Sequence, residues 1–218
     1  MLLAWYADAG KAGVMRFLVL ILGALALAQC ATSEDERFRV GASEKAFVII
    51  GVAEASENRE ARYTLLWRRL DGAGEFAEHG GGTSFEAETN QGDTLRVRGI
   101  PGEFELLEVE PGVYALDSVF AIIRADHVNY VADGVIQGPE RPAFEVRPGE
   151  AVYLGIWQVD LEETRAVTRP WRIAESDLRA VLSHSDHVLG QVRIRATHTR
   201  SVPCAPHPMN PRTRRQVC

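Results

Sequence analysis

The sequence predicts a mainly β protein, an antiparallel β-sandwich or small barrel with one short helix. Three observations lead there. Runs rich in Val, Ile, Leu, Tyr, Phe and Trp recur at short intervals between Ala46 and Thr199, as half-buried or buried strands require. Gly and Pro, the residues that set turn geometry, separate those runs. Only one segment carries apolar residues at helical spacing. The 218 residues are 46% hydrophobic and 25% charged, too apolar for a disordered chain and enough for one domain with a real core.

Residues 1–29 read as a signal peptide, with translation expected to start at Met15. Residues 17–28 are uncharged and apolar and follow Met15-Arg16. The run is shorter than the roughly 20 residues that span a bilayer, and a positive residue, a short apolar core and small residues make an export signal. Two cleavage readings follow. Ala26-Leu27-Ala28 is an A-x-A site that would release a soluble periplasmic protein at Gln29. Leu27-Ala28-Gln29-Cys30 resembles the lipobox of bacterial lipoprotein precursors, with Gln29 where a small residue is usual. That resemblance implies acylation of Cys30 and a membrane partner, with residues 30–45 as a polar tether and the protein lipid-anchored at the cell envelope, facing the periplasm.

Strands are expected over 47–53, 63–70, 94–98, 104–109, 113–123, 128–136, 143–146, 151–159, 168–173 and 188–196, within a sandwich domain of 46–198. The helix is expected over 176–183, with Ser176 as N-cap and Leu178, Val181 and Leu182 on one face. Pro-Gly recurs in Ile100-Pro101-Gly102, Val109-Glu110-Pro111-Gly112 and Val146-Arg147-Pro148-Gly149, and an aromatic soon follows. Pro presets the first central position of a type II turn and Gly takes the positive φ of the second. This pattern resembles PEGA domains and carboxypeptidase regulatory-like domains, and the body is loosely similar to uncharacterised envelope lipoproteins of Gram-negative bacteria. The resemblance implies fold and location and transfers no active site. Residues 47–53, 113–123 and 151–159 are apolar on both faces, so a second layer must cover them: the helix, residues 71–93 or a partner.

His184, Ser185, Asp186 and His187 form the densest reactive cluster. They are expected to terminate the helix, with a metal site or hydrolytic centre on His184, Asp186 and His187 as the alternative. Asp117 lies inside an apolar strand and is expected to pair with an arginine; a catalytic acid is the rival reading. Trp67, Trp157 and Trp171 would line a deep apolar pocket if the protein carried a small ligand. The sequence contains no G-x-S-x-G, H-E-x-x-H or C-x-x-C motif, so neither catalytic residues nor a cofactor are predicted.

Residues 199–218 form a basic, Pro-rich tail. In an oxidising compartment Cys204 and Cys218 are expected to pair, against a metal site on Cys204, His207 and Cys218. The net charge is −6 and gives no reason to expect nucleic acid. Lys11, Arg16 and Asp8 precede Cys30, and six arginines with no acidic residue follow His187. Residues 30–186 therefore carry −13 and residues 187–218 carry +6. The expected partners are a membrane through the lipid and an envelope protein. The sequence favours a binding or structural module.

Overall fold

The computed structural model describes residues 37–55, 61–78, 81–90, 94–125, 128–134, 136, 138–162 and 165–203. The expected signal peptide, Cys30, and the Cys204–Cys218 pair with His207 lie outside them. The strands are β1 (Phe38–Arg39), β2 (Ala46–Glu54), β3 (Ala61–Arg69), β4 (Ser84–Glu88), β5 (Glu103–Val109), β6 (Gly112–Ala125) and β7 (Val128–Gly134). They continue with β8 (Glu140–Val146), β9 (Ala151–Glu162), β10 (Arg165–Arg172), β11 (Val188–Leu189), β12 (Arg193–Ile194) and β13 (His198–Ser201). Helix α1 (Glu175–Ser183) stands between β10 and β11.

Two sheets make a sandwich, as the sequence predicts. One runs β10-β9-β2-β5, with β12 also on β9; the other runs β13-β8-β6-β3-β4, with β7 on β6. The pairing is antiparallel except that β2 and β12 each run parallel to β9, and β1 parallel to β11. Of the Pro-Gly turns, Pro148-Gly149 forms for the expected reason, whereas Gly112 has φ +154° and already opens β6. In the turn closed by Glu150 N–H donating to Arg147 C=O at 3.0 Å, Gly149 takes φ +70°, a conformation open to residues without a Cβ.

Alternation along β2 explains the layers. Ala46, Val48, Ile50 and Val52 point into the core between the sheets, and Phe47, Ile49 and Ala53 into a second core on the outer face. In the central core Trp67 meets Trp157 edge to face, with ring centroids 5.2 Å apart, and Phe144 at 5.4 Å, a geometry that adds to the burial of the rings. The second core is closed by Leu178 and Val181 of α1 together with Phe38, Val97 and Val192. The chain's own helix therefore covers the two-sided strands of this sheet. On the far side of the other sheet, Leu70, Ala115, Ala143 and Val202 bury a small third cluster, with Phe76 from the Gly-rich segment packed on it.

Several expected boundaries move. Phe38 is buried and pairs with Val188, so packed structure begins inside the expected tether, and β13 pairs with β8 past residue 198. Residues 94–98 contribute only a bridge between Leu95 and Phe104, whereas β4 forms inside the segment expected to be loop. The expected 188–196 strand is two short strands separated by Gly190. The helix is capped by Ala174 with no side-chain hydrogen bond rather than by Ser176. Asp177 anchors this end instead: it is buried and takes a 2.6 Å ion pair from Arg172 of β10.

Candidate functional site

An open cleft of about 690 Å³ lies where β2 ends beside the start of β5. Val52 and Ala53 from β2 and Pro101 from the turn before β5 give it apolar lining. Glu54, Asn90, Arg96 and Glu103 supply its polar groups. The approach of β5 to β2 requires glycine at 102, which has φ +91° and where a Cβ would sit 2.5 Å from the Val52 carbonyl oxygen.

Glu103 is the best-buried of these polar side chains and is fully engaged. Its Oε1 accepts from Arg96 Nη2 at 2.5 Å, and its Oε2 accepts from the Asn90 backbone N–H at 3.0 Å and from the Thr94 hydroxyl. Asn90 holds φ +57°, a left-handed conformation that asparagine tolerates better than most residues. From there its Nδ2 donates to Glu54 Oε1 at 3.0 Å and to the Ala61 carbonyl at 2.6 Å. Burial pushes the Glu54 carboxyl above its ordinary range; the Asn90 amide pulls it back, and negatively charged Glu103 adds to the rise. Two carboxylates, one guanidinium and one amide thus form a braced polar rim on an apolar floor. The arrangement suits holding a small polar group, and the cleft is of ligand-pocket size. None of these four residues is singled out by the sequence. The available signals are weak: the sequence Asn-Gln-Gly at 90–92 and a glutamate just after Pro-Gly.

The sequence-predicted candidates lie elsewhere. His184 caps α1: its Nδ1 lies 2.9 Å from the Ala180 carbonyl, while His187 Nδ1 contacts Ser185 Oγ at 2.7 Å. His184, Asp186 and His187 are exposed. His184 is the C-cap residue of α1, and among the described residues no three His, Cys, Asp or Glu side chains gather as a metal-ligand set. Asp117 meets Arg68 Nη1 at 3.3 Å, and its backbone carbonyl accepts from Arg141 Nη1 at 2.8 Å. Arg141 is fully buried, and Phe76 packs under the Arg68 guanidinium at 4.9 Å. This cluster ties β3, β6 and β8 together. Trp67 and Trp157 are core residues and Trp171 is exposed, so the three rings do not line one pocket.

Compared with models of known families, with curated proteins and with solved structures, the chain finds no match.

Proposed function

We propose that this is an exported, lipid-anchored protein of the bacterial cell envelope whose sandwich acts as a binding or structural module. The observation that carries the reading is the uncharged run 17–28, separated from Cys30 by Gln29 alone, followed within a few residues by a packed domain beginning at Phe38. An apolar run of that length followed by cysteine suits export and acylation, and the acidic stretch Glu34-Asp35-Glu36 suits a solvated tether. In support of the module reading, the cleft side chains are braced against one another in the way a recognition surface is held. No specific observation favours the hydrolase, metal or apolar-carrier readings over it.

Mass spectrometry of the mature N-terminus tests the proposal. A diacylglyceryl Cys30 is the expected result; an unmodified N-terminus at Gln29, or an uncleaved chain, refutes the lipid anchor.

A further inference from the structure

Along β9, one edge is taken by β2, which pairs from Ala151 to Val159. The other edge is shared: β12 pairs with Val152 and Tyr153, and β10 pairs from Ile156 to Glu162. Strands β10 and β12 therefore lie end to end, and their junction is apolar and exposed. Trp171 is 46% exposed, Ile173 44% and Ile194 44%. Ile173 sits against Gly155, and Ile194 opposite Tyr153, about 7 Å apart along the strand.

Arginines flank this patch and outnumber their partners. Arg193 and Arg195 share the single carboxylate of Glu150, and Arg169 is held by the neutral Gln158 amide. An indole, aliphatic side chains and surplus guanidinium groups on one edge match the chemistry of a membrane surface bearing anionic headgroups.

Chain geometry gives a second, independent reason. Phe38 and Arg39 pair with Val188 and Leu189, and a short stretch leads from Leu189 to β12. The path from Cys30 to Phe38 reaches at most about 28 Å, less than the roughly 40 Å diameter expected for a body of this size. A lipid on Cys30 would keep the side of the body near β11 and β12 toward the bilayer.

Resting on the lipid-anchored reading, we propose that the β10–β12 edge is a second membrane contact, seated on anionic phospholipid through Trp171, Ile173 and Ile194 with Arg169, Arg193 and Arg195.

The test uses the mature chain from Cys30 onward with C30S, so that no acyl chain contributes. It is mixed with vesicles of phosphatidylglycerol and phosphatidylethanolamine, or of phosphatidylcholine alone, each carrying brominated lipid. Trp67 and Trp157 are buried, so quenching reports on Trp171. Quenching is expected on the anionic vesicles, at least tenfold less partitioning on the neutral ones, and reversal by about 0.5 M salt. W171F should abolish the quenched signal. I173S/I194S and R169Q/R193Q should each weaken partitioning about tenfold with thermal melting unchanged. Folded protein whose Trp171 stays unquenched on anionic vesicles, or is quenched equally on neutral ones, overturns the proposal. The two readings fail separately: an unacylated native Cys30 with quenching intact removes only the anchor, and an acylated Cys30 without quenching removes only this surface.

Discussion

Replacing Asp117 by alanine should cost about 2–3 kcal/mol of folding stability, because it strips the carboxylate from a site that also holds a buried cation. Arg141 is 1% exposed. Burial lowers its proton affinity and the charge of Asp117 restores it. Removing one member of a buried ion pair typically costs about 3–5 kcal/mol, since the remaining charge is left uncompensated. Here the Arg68 and Asp117 side chains keep 15% and 21% of their exposure, and Arg141 retains its bond to the Asp117 backbone carbonyl, so a value below that range follows. Urea unfolding with a slope of about 2 kcal/mol per M would register the loss as a midpoint lowered by about 1–1.5 M. D117N, which keeps the shape without the charge, should lose nearly as much. R141M should rescue part of the D117A loss, because methionine fills the volume without a charge, and a double-mutant cycle measures that coupling. If D117A unfolds within about 0.5 kcal/mol of the wild type, the carboxylate does not stabilise the arginine pair and this reasoning is wrong.

In E54Q the pH profile should change in a defined direction. The Glu54 carboxyl is raised above 4.5, so the folded state keeps a proton that the unfolded chain releases, and wild-type stability declines as pH climbs through the window above 4.5. Urea melts near pH 4 and pH 8 should therefore show E54Q gaining on the wild type at the higher pH; an equal difference at both would contradict the assignment. Burial pushes the Tyr114 hydroxyl up to about 12, and that of Tyr153 is raised further. Absorbance titration should show both rings ionising above the usual 10, with stability falling as pH rises through that range. G102A should cost about 2–3 kcal/mol, from the positive φ and the approach of the Val52 carbonyl; an unchanged melting temperature would show that β5 is free to shift. W67A should cost about 3–5 kcal/mol, measured in the same melts.

What the sequence made legible is whatever depends on period and turn chemistry. β2, β6 and β9 announce themselves through long β-branched and aromatic runs, and Gly149 fills the turn position that Pro148 sets up. The doubly apolar β2 correctly demands a second cover, and α1 supplies it through Leu178 and Val181. Misses occurred where tertiary pairing overrides local composition. Ser-Phe-Glu-Ala-Glu of β4 contains two glutamates and looks like loop, yet it pairs with β3 from Thr64 to Arg68, burying Phe85 and Ala87 while its charges face out. Phe38 looked like part of a tether because one aromatic among charges carries no periodicity. The cleft was the least legible feature, because Glu54, Asn90 and Glu103 come from separate segments that meet only once β5 has paired with β2.

The parallel pairing of β2 with β9 sets the order in which the molecule can be made. Val48 cannot find Val152 until about a hundred residues more have been delivered, and Phe47 and Ile49 on the reverse face wait longer still, for α1 to arrive. Such a high proportion of distant contacts slows folding. It also leaves the reverse face of β2 without its cover while the second half is still emerging, although the edge of β2 can already pair with β5. The same delay exposes Val48, Ile49 and Ile50 as an unshielded apolar run in the interval, a strand-forming sequence of the kind that aggregates unless a holdase occupies it.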